Sequence, residues 1–217
     1  MLTMYETIME LPLFKGIGEE QLSQLLEKTS LEFLRKKTGE IIYKEGESVG
    51  SIDFVLSGRV KIAHRLKNFD IELDEILGPG DIIGGHNLFG LETSYPGDVT
   101  AFSMASIMRI EKREYMRILM SDPIYMLNFV NYLSAGCQRV PRVVTEEGEP
   151  SISRTLSSLI VSFMALRVNE SLLIGSDREL ARYCGVDEEE FTKWKRRMMD
   201  EKKISLGPRG QIIITRR

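Results

Sequence analysis

The hydrophobic rhythm of the chain changes twice. Between Glu19 and Thr29 the apolar residues Leu22, Leu25 and Leu26 stand three and one apart on one face, the spacing of a short amphipathic helix. From Ile41 the rhythm shortens. Ile41–Tyr43, Ile52–Leu56, Val60–Ala63, Ile71–Leu77, Ile82–Ile83, Val99–Phe102 and Ile107–Ile110 are short apolar or alternating runs, punctuated by Gly39, Gly46, Gly50, Gly58, Gly78, Gly80 and Gly97. These runs predict strands, with Ser57–Gly58 as a tight turn between DFVL and RVKI. Many short strands at near-regular intervals predict an antiparallel barrel or jelly roll.

At Ser121–Asp122–Pro123 the pattern turns helical: Asp122 can cap exposed N–H groups, and proline suits the first helical position. Behind it Met126, Val130, Leu133, Cys137, Val140 and Val144 recur at alternating steps of four and three. A seam of about three heptads predicts helix pairing between subunits; the alternative is that the same stripe packs on the chain's own barrel. Pro141 should kink or interrupt this helix. The polar stretch Thr145–Ser151 contains Gly and Pro and reads as a linker. The expected organisation is a barrel over 1–122, a helix and hinge over 123–149, and a second domain over 150–217.

That second domain opens with a helix through Ile152, Leu156, Leu159, Ile160 and Phe163. Ser176-Asp177-Arg178-Glu179 then has the form of a capping box, opening a short helix whose buried face is Leu180, Ala181 and Cys184. Gly185 permits a sharp turn. Asp187-Glu188-Glu189-Glu190 caps a second helix through Phe191, Trp194 and Met198, with Lys193, Lys195, Arg196 and Arg197 near solvent. The terminal KKISLGPRGQIIITRR reads as strand, turn, strand, with Arg209 at the tip of a wing. Two capped helices, a glycine turn, a basic second helix and a wing in this order point to a winged helix-turn-helix.

Composition sharpens this division. The net charge of −3 does not by itself mark a nucleic-acid binder. Residues 1–150, however, hold 16 Lys and Arg against 23 Asp and Glu, and residues 151–217 hold 13 against 9. The acidic front and basic back suit separate tasks, the back facing an anion such as DNA. The two cysteines, Cys137 and Cys184, are far apart and lack metal-ligand spacing, which fits reduced thiols in a cytoplasmic protein. No apolar run reaches bilayer length, and residues 1–10 lack the form of a signal peptide, so no membrane role is expected.

The segments LPLFKGIGEEQLSQLL, GEIIYKEGESVGSIDFVLSGRVKI, LGPGDIIGGHNLF, SDPIYMLNFVNYL and SDRELARYCGVDEEEFTKWKRRMMDEKKI together resemble the cyclic-AMP receptor protein and fumarate–nitrate regulator (Crp/Fnr) family over nearly the whole chain. The resemblance implies an α+β protein. Its parts are an N-terminal double-stranded β-helix (jelly-roll, cyclic-nucleotide-binding-like) barrel, a long dimerisation helix and a C-terminal winged helix-turn-helix. It implies a homodimeric transcription regulator whose barrels bind a small-molecule effector and reorient the domains that hold double-stranded DNA. Acid-rich surface loops would offer RNA polymerase a contact, although no motif specifies one.

Departures from the family pattern narrow the effector. Where cyclic-AMP-binding members carry a Glu for the ribose and an Arg and a Ser for the phosphate, this chain carries Gly85, Tyr95 and Pro96; the purine-contacting positions correspond to Val140 and Pro141. A buried phosphate needs a paired cation and donors, so cyclic AMP is not the expected effector. The pocket would be lined by Gly84, Gly85, His86, Asn87, Leu88, Tyr95, Pro96, Gly97 and Val140. Its glycines would offer backbone N–H groups to a ligand, or simply form barrel turns. No cysteine precedes Cys137, which argues against an iron–sulfur cluster. Haem on His86 is the alternative to an ordinary hydrogen-bonding histidine, and otherwise no cofactor or metal is expected.

The family's recognition helix usually begins with an Arg that reads guanine and a Glu that accepts from cytosine. Glu188 and Glu189 stand at those positions. Glu189 retains the acceptor role, but Glu188 cannot donate to guanine. Ser176, Lys193, Lys195, Arg196, Arg197 and Arg209 are the expected DNA contacts beside these two acids. The competing reading is a dimeric sensor or interaction module that has lost sequence-specific DNA binding. An enzyme is not expected: the chain has no P-loop, Rossmann fingerprint, G-x-S-x-G or H-E-x-x-H motif.

Overall fold

The computed structural model describes residues 4–138, 151–163 and 170–215. The chain groups into two units, one made of Met1–Lys61 with Leu77–Gln138 and the other of Ile62–Ile76 with Arg139–Arg217. In chain order the elements are α1 (Met4–Met9), a 3₁₀ turn at Pro12–Phe14, α2 (Glu19–Lys28), β1 (Glu32–Lys36), β2 (Ile41–Tyr43), β3 (Ser51–Ser57), β4 (Val60–Arg65) and β5 (Glu72–Leu77). They continue as β6 (Ile82–Ile83), β7 (Asp98–Ala101), β8 (Ala105–Glu111), α3 (Lys112–Ser121), α4 (Pro123–Gln138), α5 (Ser151–Phe163), β9 (Glu170–Ile174), α6 (Asp177–Cys184), α7 (Glu188–Asp200), β10 (Ser205–Leu206) and β11 (Ile212–Thr215).

The first unit is a β-sandwich with helices, so the protein is α+β. One layer is antiparallel in the order β1-β8-β3-β6, and β2 pairs with β7 opposite it. Alternation along β3 sends its side chains two ways. Phe54 meets Phe14 of the 3₁₀ turn at a centroid distance of 5.7 Å, and Phe14 in turn meets Tyr125 of α4. Ser51 and Asp53 point between the layers, where both bond to the hydroxyl of Tyr43 on β2. The turn after β3 depends on Gly58, whose φ is +78°. A Cβ there would lie 2.0 Å from the carbonyl oxygen of Met104, so two constraints exclude a side chain.

Strands expected from the sequence over 41–110 correspond to β2 through β8. The sequence pattern missed β1. Its residues EFLRK are largely exposed on both faces, so no alternation marks the strand; pairing with β8, Glu32 opposite Arg109, defines it. It also missed α3, whose Tyr115, Ile118 and Leu119 are buried at helical spacing.

The helix α4 begins as expected, with the Asp122 carboxylate accepting from the Ile124 N–H at 2.9 Å. Its contact face is aromatic: Tyr125, Phe129 and Tyr132 are buried against the first unit. Phe129 lies edge-on to Phe89 and Tyr115. The stripe read from the sequence lies on the other side, with Met126 and Val130 exposed and Leu133 partly so; Leu127, outside that stripe, is exposed beside them. Of the remaining seam residues, Cys137 is on the last turn of the helix, and Val140, Pro141 and Val144 lie outside the described residues.

In the second unit β9 is flanked on both sides. It pairs antiparallel with β11, Ile212 opposite Leu173, and with β5, Leu73 opposite Leu173. The segment 62–76 thus joins the C-terminal elements as a fourth strand beside β10-β11-β9. Among its buried polar groups, His64 Nε2 lies 3.0 Å from Glu75 Oε1. α5 buries Ile152, Leu156, Leu159 and Ile160, and α7 locks onto it through a 2.6 Å hydrogen bond from Trp194 Nε1 to Ser153 Oγ.

Replacing Gly58 with Ala should destabilise the first unit by about 2–4 kcal/mol, the sum of backbone strain and a clash with rigid backbone. Urea denaturation of the variant beside the parent protein measures this, and an unchanged midpoint would contradict the geometry.

Candidate nucleic-acid interface and sensor pocket

α6 and α7 form the hairpin expected from the sequence. Ser176 Oγ accepts from the Glu179 N–H at 3.2 Å, and Asp187 Oδ1 accepts from the Glu190 N–H at 2.7 Å. The first cap is one-sided: the Glu179 side chain pairs instead with Arg182 on the same helix at 3.2 Å. Gly185 ends α6 in the left-handed region at φ +70°, and the Val186 N–H returns to the Ala181 carbonyl. Phe191, Trp194 and Met198 face inward, and this turns the rest of α7 to solvent.

The cations of α7 differ in how they are held. Lys193 pairs with Glu189 at 2.7 Å, but both are widely exposed, and such a pair contributes about 0–1 kcal/mol. A phosphate could replace that partner at small cost. Lys195 pairs with Asp177 across the α6–α7 junction, with only 17% of its side chain exposed, so it serves the hairpin's packing. Arg197 pairs with Glu201 at 3.2 Å. Arg196 is exposed and has no carboxylate partner among the described residues. Glu188 and Glu189 are exposed at the start of α7, and both favour the positive end of the helix dipole.

The β10–β11 turn forms with Gly210 at φ +79°. Gln211 closes it, its backbone oxygen accepting from the Gly207 N–H and its Oε1 from the Arg209 N–H, both at 2.9 Å. Folding brings Arg209 into one groove with Ser176, 33 positions earlier in the chain. The groove has a volume of about 440 Å³, and Asp70, Glu72, Ile174, Gly175, Gly210 and Gln211 complete its lining. Neither acid was anticipated here from the sequence, because the 62–76 segment reads as barrel strands.

The residues expected to form the effector pocket are brought together only in part. Gly84 and Tyr95 meet, with Gly85 beside them, and Leu88 is buried; Pro96 is exposed, and Val140 lies outside the described residues. The glycines are spaces for aromatic rings. A Cβ on Gly84 would lie 3.1 Å from the Tyr95 ring, and one on Gly85 would lie 2.8 Å from the Tyr132 hydroxyl. The His86 ring stacks on Tyr132 at 4.7 Å, and the Asn87 amide donates to the Glu92 carbonyl. Gly97 is buried. Tyr95, at the position where the resemblance expects an arginine, is buried and stacks on Tyr43 at 4.1 Å.

Beneath these rings lies a polar cluster that sequence reasoning missed. Asp53 is fully buried and accepts from Tyr43 at 2.7 Å, Ser51 at 2.8 Å and Arg109 Nε at 3.2 Å. The only sequence signal was an aspartate inside an otherwise apolar strand. Burial, with the Asp53 charge beside it, pushes the Tyr43 hydroxyl up to about 12. Burial likewise raises Tyr95 and Tyr115. Among the described residues no group of three or more His, Cys, Asp or Glu is arranged to hold a metal ion, and no helix is long and apolar enough to cross a membrane.

The Tyr43 shift has a definite sign. Folding favours the neutral hydroxyl, so this contribution is complete below the ordinary value of 10 and is lost as the pH rises through about 12. Denaturation measured between these limits should show stability falling less steeply for Tyr43→Phe than for the parent chain. Equal slopes would mean that Tyr43 titrates normally.

Similarities to known proteins follow the same architecture. Residues 33–122 match the cyclic nucleotide-binding domain family. Over 109 residues the chain is 28% identical to the human voltage-gated delayed rectifier potassium channel KCNH5, an alignment covering 49% of this chain. The chain spans only 10% of that relative's length. Among solved structures, the sensor domain of the transcriptional regulator DNR from Pseudomonas aeruginosa superposes with a TM-score of 0.51 at 20% identity, covering 67% of this chain and 99% of that domain. The catabolite activator protein of Thermus thermophilus superposes with a TM-score of 0.46 at 17% identity, over 95% of this chain and 93% of that one. The DNR likeness shows a common fold.

Proposed function

We propose that this chain is a homodimeric, DNA-binding transcription regulator of the Crp/Fnr type, with a winged helix-turn-helix formed by α6, α7 and the β10–β11 wing. The observation that carries the reading is the convergence of Ser176 and Arg209 on one groove, together with a second helix that presents Arg196 without a carboxylate partner among the described residues. A hydroxyl at a helix start and a guanidinium at a wing tip are both suited to phosphate. Base contacts would come from the first turn of α7, where Glu189 can accept from cytosine. The acids at Glu188–Glu190 fit an operator unlike the guanine-bearing half-site common in that family. RNA polymerase remains a further partner of this reading, which is neither an enzyme nor tied to a resident cofactor.

Dimerisation is supported by the two-sided character of α4. Its aromatic stripe is consumed by the first unit, and Met126, Leu127 and Val130 are left as a contiguous apolar face in water. The effector is other than cyclic AMP: the phosphate-holding position carries Tyr95, and its ring is packed on Tyr43. Calorimetry should show no saturable cyclic-AMP binding at sub-millimolar concentration.

A second reading is an interaction module that no longer reads DNA. It is favoured by the engagement of Lys195 with Asp177 and of Arg197 with Glu201, which removes cations from the phosphate-facing set.

Selection of duplexes from a random pool by the whole protein distinguishes the two readings. Enriched palindromic half-sites are expected. Arg196→Ala and Arg209→Ala should each weaken all sequences similarly and lower the salt slope by about 1, whereas Glu189→Ala should relax base preference. Absence of any binding at low salt would favour the module. Val130→Glu should convert a dimer to a monomer in sedimentation; a chain that is monomeric without the substitution contradicts the α4 assignment.

A further inference from the structure

The segment 62–76 is more than a strand pair that happens to touch the C-terminal elements. β5 adds to β9 over five register pairs, from Glu72 opposite Ile174 to Ile76 opposite Glu170. At the end of that ladder the chain lies directly on Gly175: a Cβ there would stand 3.2 Å from Ile71 Cγ1 and 3.3 Å from the Asp70 carbonyl oxygen. The turn then reaches α6. The Phe69 ring packs edge-on against Tyr183 at 5.1 Å, and the Arg182 guanidinium sits 4.9 Å above it. Main-chain pairing, a close approach at glycine and a cation over an aromatic ring together make a built interface.

This interface puts acids where a DNA phosphate would sit between Ser176 and Arg209. Asp70 and Glu72 line the same groove of about 440 Å³ as Ser176 and Arg209. Glu72 is shared with Arg65 at 3.0 Å, and Asp70 has no cationic partner among the described residues. At physiological salt the screening length is about 8 Å, so carboxylates within one groove repel a phosphate entering it. We propose that the docked 62–76 hairpin is an autoinhibitory clamp on the phosphate-binding groove, holding Asp70 and Glu72 against DNA until the hairpin lifts or its charge is removed. The inference rests on the DNA-binding reading. In the low-affinity state the chain's own acidic hairpin forms one wall of the groove, and Phe69 is the anchor that keeps it there.

The deciding substitution is Asp70→Asn, which keeps the shape of an exposed side chain and removes one charge. Affinity of the full chain for a random-sequence duplex is followed by fluorescence anisotropy at 50 and 200 mM salt, beside Arg209→Ala and a remote neutralisation, Glu20→Gln. Asp70→Asn should bind about three- to tenfold more tightly at the lower salt, with the advantage shrinking at the higher, and Glu20→Gln should match the parent. Phe69→Ala should also tighten binding, with faster amide exchange over 72–76 as the sign of undocking. If the parent binds and Arg209→Ala weakens it, but Asp70→Asn changes nothing, the clamp is wrong and the DNA reading stands. Binding that Arg209→Ala leaves intact means the groove is not the phosphate seat and also overturns the clamp. No binding by any form at 50 mM salt removes the DNA reading and the clamp with it.

Discussion

A carboxylate sealed inside a β-sandwich must be fully matched, and the first unit is arranged around that requirement at Asp53. Three donors from three strands converge on it: Ser51 beside it on β3, Tyr43 of β2 from the facing layer and Arg109 from β8. Removing one partner of such a pair strands the other charge, typically at a cost of about 3–5 kcal/mol. The cluster thus ties the two layers together at a single register. It also determines what the interior can accept. Tyr43 is held by Asp53, Tyr95 stacks on Tyr43, and Gly84 is bare because the Tyr95 ring is there.

This chain of contacts explains why Tyr95 stands where the Crp/Fnr resemblance would place a phosphate-binding arginine: its ring belongs to the packing of the sandwich. The neighbouring loop is similarly tied, with His86 and Gly85 against Tyr132 of α4. Ring-to-ring contact gives α4 a direct hold on the loop that carries Gly85 and His86.

The second unit obeys a different constraint. A strand with an open edge exposes unpaired N–H and C=O groups, and β9 avoids this by taking β11 on one side and β5 on the other. Because β4 begins at Val60 and β5 ends at Leu77, both strands run through the division between the units. The hairpin therefore follows the sandwich strands in sequence and groups by contact with the C-terminal elements. Electrostatics in this unit are settled by local pairing: Lys193, Lys195 and Arg197 of α7 each have an acid within reach, and among the described residues Arg196 does not.

What the sequence determined by itself was local. Ser176, Asp122 and Asp187 act as caps because a side-chain oxygen and an N–H two or three residues later meet whenever a helix starts there. Gly58 and Gly185 mark turns because their positive φ is cheap for glycine alone. The strands β2–β8, the helices α4–α7 and the terminal β-hairpin were readable for the same reason. Tertiary structure alone decided the rest. It made a strand of the unpatterned β1 through its pairing with β8, turned the aromatic stripe of α4 inward and the aliphatic one outward, and set Tyr95 on Tyr43. It also carried Asp70 and Glu72 to Ser176 and Arg209. Each of these joins residues tens of positions apart, where short-range periodicity holds no information and only packing chooses the partner.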